Sequence, residues 1–178
     1  MSYSVSISLQ QLYDLMQAFL VNVTGLDSSL IIQGLPNREA MPEASPGFVT
    51  MQVTGTKRLR TNVDTWDSTT QDPTTMSLEQ GTEVRMQLDF YGATAEDWAV
   101  MASTVLRDSV GVEQFVPTCV PLYVDDTTLA ELDDSEQQYE SRWIVAAILQ
   151  YNPITTAPQQ FMDAVAVELI NVDEAYPP

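Results

Sequence analysis

The chain contains no histidine. That removes the side chain most used as a general base near neutral pH, and a common metal ligand. It has a single cysteine, Cys119, so no disulfide can close within the chain and no cysteine-rich zinc site can be built. Next to Val120, Cys119 reads as a small buried apolar residue. Positive charge is scarce: 7 Lys and Arg stand against 25 Asp and Glu, a formal net charge of -18. So acidic a surface is a poor partner for the phosphates of nucleic acid or for an anionic membrane. No apolar run is long enough to span a bilayer, and the first apolar residues are spaced rather than contiguous, which predicts no signal peptide. The compartment these features predict is cytoplasm-like.

Catalytic patterns are missing as well. Without histidine no Ser-His-Asp arrangement can be drawn, and no GxSxG, SxxK or phosphate-cradling glycine loop occurs. Carboxylates pair at Asp125-Asp126 and Asp133-Asp134, with Glu131 and Glu136 near them. Neighbours in sequence do not converge on one cation without a loop built for it, and the EF-hand glycine is absent. These acids read as solvated loops, with no metal or cofactor expected and no enzymatic activity.

What is present is periodic hydrophobicity. At 178 residues with 44% hydrophobic content, the chain is expected to fold as one domain over residues 1–178, with a free tail from about residue 173. From Glu83, the side chains of Val84, Met86, Leu88 and Phe90 alternate with polar ones, the period of a strand with one buried face. Gly92 interrupts, and a helical stripe follows with Trp98, Met101, Ala102, Val105 and Leu106, capped by Thr94 and closing near Val110-Gly111. An earlier helix is expected over about Leu9 to Val21, capped by Ser8, with Leu9, Leu12, Met16, Phe19, Leu20 and Val23 on its apolar side. Strands are expected near Leu30–Gln33, Gly47–Arg60, from Met76, over Gln137–Tyr151 and over Phe161–Val172, with ITTAPQQ as a connector. Pro117 and Pro121 argue against a central strand in their segment. The sum is an α+β fold: a mostly antiparallel sheet with two helices on one face.

Between the strand ending at Arg60 and the one near Met76 lies a polar, turn-rich stretch holding Trp66, expected as an extended hairpin arm or long loop. Lys57, Arg58 and Arg60 at its base form the one cluster of positive charge along the sequence. On so acidic a chain, such a cluster reads first as meeting an acidic patch on a neighbouring subunit, next as a solvated loop and last as a contact for nucleic acid. Lys57, Arg58, Arg60, Trp66, Asp125, Asp126, Asp133 and Asp134 are therefore the candidate interface residues.

The segments RLRTNVDTW, EVRMQLDFYGATAEDWA, LRDSVGVEQF, PLYVDD, QQYESRWIVAAILQYNP and QQFMDAVAVELINVDE, in this order, resemble the tail or neck terminator proteins of tailed bacteriophages over roughly residues 30 to 173. The resemblance implies a structural virion protein, assembled in the host cytoplasm, that forms a ring, usually a hexamer. The ring ends the tail tube, joins it to head-side neck proteins and, in contractile tails, meets the last sheath ring, with DNA passing through its lumen. The alternatives are a head-tail adaptor or stopper ring, a tail tube protein and, outside the virion, an acidic binding module.

Overall fold

A computed structural model describes residues 3–34, 42, 46–67, 74–133 and 139–159. Its strands are β1 (Ser4–Val5), β2 (Ile31–Gln33), β3 (Phe48–Arg58), β4 (Val63–Asp67), β5 (Thr74–Glu79), β6 (Thr82–Tyr91), β7 (Cys119–Val124), β8 (Thr128–Asp133), β9 (Tyr139–Tyr151) and β10 (Ile154–Gln159). Its helices are α1 (Leu9–Thr24), α2 (Ala95–Leu106) and α3 (Ser109–Phe115).

The alternation in β6 sets the layers. Val84, Met86, Leu88 and Phe90 are fully buried, and they share a core with Val145, Ala147 and Leu149 of β9 and with residues of all three helices. β6 pairs with β9 without a register shift from Thr82↔Tyr151 to Tyr91↔Arg142, so the two apolar sets lie on one face. The larger sheet runs β2-β3-β6-β9-β7, with β8 also paired to β9. Every pairing in it is antiparallel except β2 with β3. The architecture is α+β, as the sequence predicts, with a third helix added.

α1 begins at a capping box. Ser8 Oγ accepts from the Gln11 backbone N–H, and the Gln11 side chain accepts from the Ser8 N–H, satisfying two donors that helix geometry orphans. It continues past the expected end to Thr24 and stops where Gly25 takes φ 71, a left-handed turn that costs glycine little. Leu12, Met16, Phe19 and Leu20 are buried, while Leu9 is exposed because it precedes the part of the helix lying on the core. Met101 in α2 is likewise exposed, and Ala99 and Ser103 are buried instead, so the buried stripe is rotated from the expected one. Thr94 occupies the N-cap of α2 but its side chain makes no capping hydrogen bond.

Val110-Gly111 does not close α2. The chain turns at Asp108, whose carboxylate accepts from the Val110 N–H, and starts α3. A Cβ on Gly111 would stand 2.0 Å from the Val105 carbonyl oxygen, so only glycine permits this elbow. Phe115 then packs on Phe19 with ring centroids 5.4 Å apart.

The segment ITTAPQQ is no connector either: Ile154–Gln159 is a strand. It belongs to a second sheet, β1-β10-β5-β4. Three short links carry the chain between the sheets: residues 59–62 from β3 to β4, Gln80-Gly81 from β5 to β6 and Asn152-Pro153 from β9 to β10. The Gln80 N–H donates to the Pro153 carbonyl at 3.0 Å, so strand pairing continues across the bend. The β4–β5 hairpin is the arm expected around Trp66. The last strand expected from the sequence, over residues 161–172, lies outside the described residues, as does the tail.

Candidate functional site

No group of three or more Cys, Asp and Glu side chains able to hold a metal occurs among the described residues. No helix there is long and apolar enough to cross a membrane. Two exposed surfaces and one buried polar cluster stand out among the described residues.

The first is the arm. β4 pairs only with β5 among the described residues, leaving its other edge open. Along the arm, Trp66, Met76 and Ala157 stand in one cross-strand row, with Asp64, Leu78 and Thr155 in the next row on the same face. Val63 and Trp66 are exposed, Trp66 to 51%. No described helix packs on either face of this sheet. Ala157 of this sheet is nonetheless buried, while Val63 and Trp66 of β4 are exposed.

The basic cluster stands at the base of the arm, where β3 ends. Arg60 pairs with Glu79 and lies against Gly81. Arg58 Nη2 donates to Asn62 Oδ1 at 2.6 Å and to Gln80 Oε1 at 3.4 Å. Lys57 lies opposite Glu83 in the β3–β6 register. Among the described residues neither Lys57 nor Arg58 makes an ion pair, and both are exposed.

The second surface is the region of α3 and β7. β7 is an edge strand, in keeping with Pro117 and Pro121, and its register shifts between Pro121 and Tyr123. Val110, Val116, Leu122 and Tyr123 are exposed there, Tyr123 to 57%. A cleft of about 430 Å³ runs between the end of α2, α3 and β7, lined by Leu106, Arg107, Val112, Pro121, Leu122, Tyr123, Val124 and Asp126.

Both members of the first acidic pair have partners within the chain. Arg85 Nη2 lies 3.3 Å from Asp125 Oδ2, and Arg107 Nη2 lies 2.8 Å from Asp126 Oδ1. Arg107 also donates to the Val124 carbonyl at 2.8 Å, which fixes its guanidinium at the rim of the cleft. The Asp126 side chain remains 95% exposed, free to meet a second cation. The backbone of Asp133 ends β8 opposite Tyr139. Asp134 lies outside the described residues.

Sequence reasoning missed a third feature, on the face of β6 away from the helices. Asp89 is only 4% exposed and is met by three polar side chains. Its carboxylate accepts from Arg142 Nη2 at 2.9 Å, from Gln87 Nε2 at 2.9 Å and from Thr50 Oγ1 at 3.4 Å. Burial opposes the Arg142 charge, but the hydrogen bond and the charge of Asp89 outweigh it and raise the guanidinium pKa. Burial also raises the Tyr91 hydroxyl, against the pull of Arg142. The legible signal was the pairing of Asp89 and Arg142 as polar positions on two strands otherwise rich in apolar residues.

Cys119 is buried, as the sequence predicts, and burial pushes its thiol up to about 11 from an ordinary 9.0. The folded protein therefore holds the thiol proton more tightly than the unfolded chain. This contribution to stability is whole below pH about 9 and is lost as pH rises through about 11. The native protein is expected to resist thiol alkylation at pH 8 and to label fully in denaturant, which mass spectrometry reads directly. Rapid native labelling would place the thiol at the surface.

No curated protein matches the sequence. A family model described as phage neck terminator protein matches residues 10–173, which takes in α1 from its second residue and every later element through β10, leaving out β1.

Proposed function

We propose that this chain, which belongs to the phage neck terminator family, closes the tail tube as a ring of identical subunits and joins it to the head-side neck. A structural role in the phage neck follows from the family; the ring, its position and its lumen are our reading. The observation that carries it is the arm: a four-stranded sheet with no helix on either face among the described residues, on a chain whose family builds the neck.

Closed rings require two different surfaces on each subunit, one for each neighbour. The chain offers two of opposite character. The arm base carries Lys57 and Arg58 without ion pairs among the described residues, and the β7–β8 turn carries the exposed Asp126. Asp125, Asp133 and Asp134 extend the acidic side in our reading, and Arg60 and Trp66 the arm side. Residues 1–178 act as one domain, and the partners are further copies, six to a ring, the tube protein, the neck proteins and, in a contractile tail, the sheath. A net charge of -18 suits a lumen through which DNA slides, because phosphates are repelled by carboxylates at short range.

Electron microscopy of intact particles tests this. The expected result is one ring of six copies at the head-proximal end of the tube, with carboxylates lining its lumen. Copies repeated along the tail would make the chain a tube component, and a ring on the head side of the neck an adaptor or stopper. Absence from particles would overturn the virion reading.

A further inference from the structure

β2 covers only the first part of the outer edge of β3. It pairs with Val49, Thr50 and Met51, the Gly34 N–H donates to the Met51 carbonyl, and the Val53 N–H donates to the Tyr13 hydroxyl at 2.8 Å. Beyond that point β3 has no strand on this side among the described residues, and Thr54, Gly55, Thr56, Lys57 and Arg58 are all exposed. A lysine and a bulge, here between Val53 and Gly55, guard such an edge against strands at large.

Far along the chain, β10 leaves by way of the arm. It starts at the arm base, where the Gln80 N–H donates to the Pro153 carbonyl. Its Gln159 lies opposite Thr74 at the far end, about 17 Å on at the rise of a strand. Residues 160–178 follow, outside the described residues. They carry Asp163, Glu168, Asp173 and Glu174 and neither Lys nor Arg. Residues 160–170 hold no Gly, Pro or Asn at which a strand turns back.

We propose that residues 169–174 of one copy add to the outer edge of β3 in the next copy, parallel to it and in line with β2, with Asp173-Glu174 beside Lys57-Arg58. This rests on the ring reading above and adds a segment of the chain to the acidic side of that contact.

The occupant follows from where the chain leaves and from charge. A strand that runs on past the arm moves away from its own β3, whose open edge ends at the arm base, where the Leu59 N–H donates to the Gly81 carbonyl. Eight extended residues, 161–168, reach about 26 Å, enough to cross to a copy in contact. Charge then selects the edge. β4 carries Asp64 and Asp67, and β7 carries Pro121 and runs into Asp125 and Asp126, so both repel or interrupt an acidic strand. The β3 edge carries two cations that make no ion pair among the described residues. Adjacent residues of a strand point to opposite faces, so Asp173 and Glu174 match Lys57 and Arg58 face for face. The direction follows as well. Run antiparallel, the same match sets Pro177 and Pro178 against residues 53–54, where neither brings an N–H.

The test uses the full chain with Thr56→p-benzoyl-phenylalanine, a photo-crosslinking side chain at an exposed position of that edge. Equal amounts of ¹⁴N and ¹⁵N protein are mixed at high concentration and irradiated, and crosslinked peptides are mapped. The expected product joins position 56 of one copy to residues 161–178 of another, within the tryptic peptide 143–178. Lys57→Glu should lower its yield by about threefold or more, and adding Asp173→Lys to the same chain should restore at least about half of the loss. Unchanged yield in Lys57→Glu, or no recovery in the double variant, overturns the pairing of these charges. Products that join position 56 to residues 161–178 only within one isotope place the segment on its own β3 and overturn exchange between copies. Crosslinks between copies that map elsewhere, or none at any concentration, overturn the strand addition and leave the ring to particle imaging, which judges it independently.

Discussion

Phe90→Ala is expected to lower the unfolding free energy by about 3–5 kcal/mol and the melting temperature by roughly 6–20 °C. Phe90 is fully buried at the end of β6, opposite Val49 on β3 and Trp143 on β9. Removing the ring forfeits its transfer from water and leaves a cavity that three paired strands cannot collapse into, since their backbones are fixed by the ladder. Val100→Ala is the control. Val100 is on α2 but 47% exposed, and its loss should stay within about 0.5 kcal/mol. Chemical denaturation reads both. A Phe90→Ala loss below about 1 kcal/mol would mean that the inward face of β6 is not the core.

That stretch was also the most legible part of the chain, for the same reason. Alternation over Val84–Phe90 and the change of period after Gly92 are local signals, and burial of one strand face reinforces each of them. α1 was legible through Ser8 and the spacing of Leu12, Met16, Phe19 and Leu20, though Gln11 as the second half of a capping box was overlooked. The elements that escaped depend on distant partners. α3 is seven residues long and would not persist alone; it exists because Phe115 packs on Phe19 and Gly111 lets it lie against α2. β10 has the composition of a connector, with Thr155, Thr156 and Pro158, and becomes a strand by pairing with β5 and β1. The division into two sheets follows from those pairings, and no local pattern announces it.

The candidate surfaces divide the same way. A polar stretch holding a tryptophan between two strands signalled an extended hairpin arm or a long loop, and the structure pairs β4 with β5 there. The cleft had no sequence signal, because Leu106, Val112 and Pro121 meet only through the elbow at Gly111. Nor could sequence show that Arg60, Arg85 and Arg107 already engage Glu79, Asp125 and Asp126, which leaves Lys57 and Arg58 as the arm-base cations without an ion pair among the described residues.

Asp89→Ala is expected to cost about 2–3 kcal/mol, less than the roughly 3–5 kcal/mol for a fully buried pair, because the Arg142 side chain keeps 26% of its exposure. The loss comes from what is left behind. Arg142 Nε is buried and finds no acceptor among the described residues, so the guanidinium depends on Asp89 through Nη2 and on its place 6.0 Å from the Tyr91 ring centroid. Without the carboxylate, Thr50 and Gln87 also lose an acceptor. Removing both charges should therefore hurt less than removing one: Asp89→Ala with Arg142→Met is expected to recover about half of the loss or more, since a methionine fills the stem's volume without a charge to solvate. Denaturation of the wild type, the two single variants and the double variant closes a thermodynamic cycle. If the double variant is as unstable as the sum of the singles, the two residues act independently, and the polar cluster across β3, β6 and β9 contributes by packing alone.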